Sequence, residues 1–153
     1  MLKKVDILVI ALSSPILIGV YEDQKLIETI ESDEKSSDIL PTIFEELLNR
    51  YALKNLFYAN GPGSFMAIKV SYLFLKSLSI LKGVKLYARD AFYFNENQPI
   101  KAIGKLCFVK ITSEITTQKF EKVPEAHFRL PSELEYEEFT TNATPLYKIG
   151  AVG

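Results

Sequence analysis

Few residues in this chain have the types and spacing that catalysis demands. There is one histidine, His127, and one cysteine, Cys107. A thiolate or imidazole metal site draws on several such ligands, so no metal site is expected. A Ser-His-Asp triad needs an activated serine, and no G-x-S-x-G elbow occurs. His127 stands among apolar neighbours and reads as a structural residue. Cys107 lies in an apolar run and reads as a buried packing thiol. Glu133, Glu135, Glu137 and Glu138 cluster as a solvated face. No residue is assigned a catalytic role.

The stretch with the strongest claim on a ligand is Asn60 to Phe65, which reads NGPGSF. An apolar run, Leu56 to Ala59, precedes it, and a run of helix formers, Met66 to Leu81, follows. That is the pattern of a strand, a tight turn and a helix start. Gly61 and Gly63 permit a positive φ or a close approach of another chain segment. Pro62 stiffens the turn between them, and Ser64 is placed to cap the helix. Three readings compete: a plain connection, an anion cradle at a helix N-terminus, and a docking element that aims the helix at a partner. Neither GxxxxGK[ST] nor GxGxxG is present, and no cofactor is assigned.

These residues have to be held by one domain or two small lobes, since the chain has 153 residues. Its composition is 48% hydrophobic, enough for a core. The formal charge of −1 and the absence of a basic run argue against direct binding of nucleic acid. A single cysteine fits a reducing compartment. The short apolar run after Lys3 and Lys4 is broken by Asp6, so no signal peptide is expected. No stretch is apolar for long enough to span a bilayer, and no membrane partner is expected.

Val5 to Leu12 reads as a strand buried on both faces. Ile16 to Tyr21 and Lys25 to Glu31 follow on short turns and must be antiparallel. A helix is expected over Ser36 to Tyr51, with an apolar sector wider than one sheet-facing stripe requires. Leu56 to Ala59 reads as a strand parallel to the first. The helix Met66 to Leu81 is apolar almost all round, with Lys69 and Lys76 as its polar seam. A helix of that kind is covered on all sides, which points to another protein over one face. Val84 to Ala88 reads as a strand and Arg89 to Asn95 as a brief helix. Lys105 to Ile111 and Ile115 to Glu121 read as a hairpin, Ala126 to Leu130 as a further strand, and Pro131 to Phe139 as an acidic helix-forming stretch.

GPGSF in this strand-to-helix setting resembles the GPGSFTGLR signature of the TsaB (YeaZ) family. Met66-Ala67-Ile68-Lys69 stands where that family has T-G-L-R. Ser37 to Ile43 is similar to its H-S-E-x-L-L-P-x-I helix, and Pro145-Leu146-Tyr147-Lys148 to its closing P-x-Y-L-R. The resemblance covers residues 5 to 112 and, more loosely, the tail. It implies an α/β fold of the actin-like ATPase (ASKHA, ribonuclease H-like) type with a mixed sheet. The N-terminal lobe would be complete over residues 1–97, and residues 98–153 would form a much reduced second lobe and tail.

The resemblance further implies a cytoplasmic, non-catalytic subunit of the bacterial complex that makes threonylcarbamoyladenosine in tRNA. Such a subunit binds TsaD through two helices and so supports threonylcarbamoyl transfer to the adenosine next to the anticodon of tRNAs reading ANN codons. The ATPase TsaE would be a further partner and tRNA would be reached only through the complex; the apolar sectors of the two helices themselves predict a homodimer when the chain is alone. The docking residues expected on the two helices are Ile39, Ile43, Phe44, Leu47, Met66, Lys69, Val70, Tyr72, Leu73 and Lys76, beside the loop Gly61, Pro62, Gly63, Ser64 and Phe65. One departure stands out. The family has an Asp-Thr-Ser or Asp-Thr-Ala step after the first strand, where this chain reads Ile10-Ala11-Leu12-Ser13-Ser14. An acid there holds metal and phosphate in actin-like ATPases, so its absence argues against nucleotide chemistry. The alternative reading is a degenerate actin-fold kinase or hydrolase with a nucleotide at the glycine loop, or one bound at the joint interface.

Overall fold

A strand that is apolar on both faces belongs in the middle of a covered sheet, and Lys3–Ile10 (β1) lies there. The computed structural model describes residues 1–125 and 127–147. In it β1 pairs antiparallel with Ile16–Glu22 (β2) and parallel with Tyr51–Ala59 (β4). Lys25–Ser32 (β3) and Leu86–Arg89 (β5) complete a five-stranded sheet in the order β3-β2-β1-β4-β5. Ser36–Arg50 (α1) leads into β4, and Phe65–Lys82 (α2) leads by a short connection to β5. This is a mixed α/β fold with the β-β-β-α-β-α-β order expected from the sequence.

The period-2 alternation of β1 divides the interior into two layers. Val5, Ile7 and Val9 pack with Leu40, Phe44, Leu47 and Leu75 under the two helices. Leu8, Ile10 and Leu12 pack on the opposite face with Phe92, Phe94, Phe108, Leu134 and Phe139. That second layer is built by the chain after β5. It comprises a 3-10 turn at Ala91–Phe94, a three-stranded antiparallel sheet of Ile100–Lys101 (β6), Leu106–Ile111 (β7) and Glu114–Lys119 (β8), and a 3-10 turn at Tyr136–Glu138. Residues beyond 97 therefore share a core with β1 and β4.

Four expectations need correction. β4 begins at Tyr51, not Leu56, because α1 runs into it without a loop. The junction is held by Glu28, which accepts from the Tyr51 hydroxyl at 2.7 Å and from both terminal nitrogens of Arg50 at 2.9 and 2.8 Å. Residues 127–130 form no strand, and Ala126 lies outside the described residues; instead the Arg129 amide donates to the Phe94 carbonyl at 2.8 Å. Pro131 to Phe139 is helical only at the 3-10 turn, since Tyr136 and Phe139 are drawn onto the Phe57 ring, with centroids at 5.3 and 5.0 Å. His127 is exposed, with Glu125 at 3.8 Å, and takes no part in a core.

Asp6 is a carboxylate inside the sheet, 2% exposed, at a bulge where β1 shifts register against β4. The Tyr136 hydroxyl donates to it. Burial pushes its carboxyl above the usual 3.8, against the opposing pull of Tyr136, Lys54 and Asn55. Folded Asp6 thus holds its proton more tightly than the unfolded chain does. Its stabilising contribution is full below the ordinary carboxylate value and is lost as pH rises through the folded value. Asp6→Asn keeps an acceptor for Tyr136 and does not titrate. The melting temperature of this variant relative to the native chain is expected to climb as pH rises from the ordinary carboxylate value through the folded one. Parallel melting curves across that range would show that Asp6 does not titrate on unfolding.

Candidate functional site

The glycine loop is explained by what presses against it. Gly61 has a φ of 115°, and a Cβ there would lie 2.7 Å from the Leu146 carbonyl oxygen. Gly63 does not need a positive φ; it is required because a Cβ would lie 3.0 Å from Leu12 Cβ and 3.2 Å from its carbonyl oxygen. The Ser64 amide donates to that Leu12 carbonyl at 3.0 Å, and the Leu146 amide donates to the Asn60 carbonyl at 2.7 Å. Asn60 Nδ2 donates to Thr144 O at 2.9 Å. The loop is thus clasped between the end of β1 and the segment 143–146. Ser64 then caps α2, its Oγ accepting from the Ala67 amide at 3.4 Å.

From this fixed start α2 presents two unlike faces. Ile68, Ser71, Leu75 and Ser79, three and four residues apart, form its buried side. The small serines bring the helix close, and the Ser71 hydroxyl donates back to the Ala67 carbonyl at 2.7 Å. On the other side Met66, Leu73 and Ile80, each seven residues from the next, are 61%, 53% and 70% exposed. Lys69 and Lys76 stand exposed beside them. Tyr147 rests on Phe65, ring centroids 4.6 Å apart, and prolongs the apolar stripe past the start of the helix. A groove of about 530 Å³ opens next to it, walled by Asp33, Ser36, Ser64, Met66 and Val70.

The residues singled out from the sequence separate into three groups. Met66, Lys69, Leu73 and Lys76 are exposed on one side of α2, with Val70 and Tyr72 half-buried at its margins. Ile39 is half-buried on α1. Ile43, Phe44 and Leu47 are buried in the chain's own core and are not surface residues. The wide apolar sector of α1 has an internal cause: it covers the sheet and also packs sideways on α2, where Phe44 meets Phe74 edge-on at 5.3 Å. Sequence reasoning missed Ile80, although its seven-residue step from Leu73 was legible, and missed Tyr147. Of the closing motif, Lys148 lies outside the described residues.

Cys107 is buried, and burial pushes its thiol above the usual value. Among the described residues no cluster of His, Cys, Asp and Glu has the spacing to hold a metal ion. No helix among them is long and apolar enough to cross a membrane.

No protein-family model and no curated protein matches the chain. Among solved structures it is similar to YeaZ from Pseudomonas aeruginosa, at 9% identity and a TM-score of 0.60, over 84% of this chain and 65% of that one. It is similar also to an uncharacterized protein described as having similarity to peptidase YeaZ from Pseudomonas aeruginosa. There the identity is 10% and the TM-score 0.61, over 80% of this chain and 69% of the other. The chain thus spans somewhat less than two thirds of the length of the first of these. At such identities the likeness is one of backbone architecture, and on it this chain has the fold of YeaZ.

Proposed function

We propose that this chain is a TsaB-like docking subunit without catalytic activity of its own, which engages its partner through the outer face of α2. The observation that carries the reading is the stripe Met66, Leu73 and Ile80, bare in the chain and flanked by Lys69 and Lys76. Apolar side chains repeating every seven residues along one helix suit packing against a second helix. Contiguous apolar surface of this kind seldom stays bare in solution. The YeaZ fold and the GPGSF loop support TsaD as the partner, in the complex that transfers a threonylcarbamoyl group to tRNA. TsaE would join through that complex, tRNA would be met only within it, and the chain alone would pair with a second copy.

The nucleotide reading has less behind it. Leu12 and Leu146 already occupy the approaches to the glycine loop that a phosphate would use. The step after the first strand, Ala11-Leu12-Ser13-Ser14, supplies no carboxylate for a metal.

Light scattering on the chain alone and on an equimolar mixture with TsaD tests the proposal. The expected result is a dimer alone that is replaced by a one-to-one complex on mixing, since both use one face. An interface of ordinary size buries about 1,200–2,000 Å² in total. A monomer at high micromolar concentration that also ignores TsaD would overturn the reading.

A further inference from the structure

The outer face of α1 carries charges of the opposite sign to those of α2, at the same interval. Asp38 and Glu45 are seven residues apart, as are Lys69 and Lys76, and all four are exposed. Among the described residues none of the four belongs to an ion pair. Between the two acids stand Pro41 and Thr42, exposed and short, which allow another helix to come close. We infer that these four charges form a ladder between two copies of the chain, fixing which helix meets which and in what register. The inference rests on the docking reading above.

The geometry follows from the topology. α1 feeds β4 and α2 leads into β5, and both strands run parallel to β1, so the two helices point the same way. They begin side by side, since Ser36 shares a groove wall with Ser64 and Met66. Two such helix layers have two limiting arrangements about a two-fold axis. With the axis along the helices, α1 lies against α2 of the second copy and runs in the same direction. An offset of 31 residues then sets Asp38 against Lys69 and also Glu45 against Lys76. The rungs fall about 10.5 Å apart, the rise of seven helical residues. Leu73 of the second copy lands over Pro41 and Thr42. Symmetry doubles the two rungs to four.

With the axis across the helices, α2 instead meets α2 of the second copy antiparallel about Leu73. Met66 and Ile80 then pair, but Lys69 comes beside Lys76 of the second copy, and like charges so placed disfavour the contact. The charge pattern therefore selects the first arrangement.

Two charge-reversed variants test the ladder by light scattering near physiological salt. One carries Lys69→Glu with Lys76→Glu, the other Asp38→Lys with Glu45→Lys. Each alone is expected to dimerise about 10- to 100-fold more weakly than the native chain, because exposed pairs contribute only a few-fold each. Mixed, every rung is again of opposite sign, and a one-to-one heterodimer of native strength should return. Loss without rescue on mixing, or native self-association by either variant alone, overturns the ladder. If Leu73→Glu still abolishes association in that case, the docking face stands and only the ladder fails. If Leu73→Glu changes neither self-association nor TsaD binding, the docking reading has failed and the ladder with it.

Discussion

Replacing Leu73 with glutamate is expected to leave the chain folded and to abolish its association, both with itself and with TsaD. Leu73 is 53% exposed and lies outside both core layers. Exposed substitutions away from caps and networks usually change stability by less than about 0.5 kcal/mol. Once the stripe is covered the same carboxylate is taken out of water, which costs several kcal/mol, and Lys69 and Lys76, four and three residues away, offset only part of that. At about 1.4 kcal/mol per decade, affinity should fall a hundredfold or more. Circular dichroism checks the fold and light scattering the association. A folded variant that still associates with native affinity would remove Leu73, and the stripe centred on it, from the interface.

Phe44→Ala is expected to do the reverse. The ring is 1% exposed and packs edge-on against Phe74 where α1, α2 and the sheet meet. Emptying such a site costs about 3–5 kcal/mol. Total stability for a domain is about 5–15 kcal/mol, so the variant should be marginal. Its melting temperature should fall by roughly 6–20 °C for a chain of this size. Its folded fraction should bind TsaD as the native chain does, because Phe44 does not reach the outer face of α2. A variant of near-native stability that has lost TsaD binding would move Phe44 from the core to the interface. The pair of substitutions thus separates the two apolar sectors that the sequence presents alike.

Much of the N-terminal half was legible because its signals are local. The uninterrupted apolar run of β1, the short turns after it and the glycine loop leave little freedom in topology. The limits of that reading lie in α1. Periodicity shows how much of a helix is apolar but not how many neighbours share that sector, so Ile43, Phe44 and Leu47 were read as docking residues when they are buried in the chain's own core, Phe44 against Phe74 of α2. On α2 four small or apolar inward positions account for the buried side, which leaves Met66 and Leu73 exposed, along with the unread Ile80. The stretch from residue 120 to 147 was least legible. It has almost no repeating secondary structure, and distant groups fix its course, as when the Thr140 and Ala88 amides and carbonyls bond reciprocally at 2.9 and 2.8 Å.

The clasp on the glycine loop has a consequence for the order in which the molecule forms. Tyr58 and Asn60 are tied to Ala143 and Thr144 by bonds that span 85 and 84 residues of chain. Contacts so remote in sequence close late, because the loop between them loses its freedom before they return anything. During synthesis the β1–β3 hairpins and α1 can assemble on the growing chain, while the launch point of α2 waits for residues 143–146 to emerge. The start of α2 is therefore set by contacts that residues 143–146 supply only after the sheet and both helices have been made.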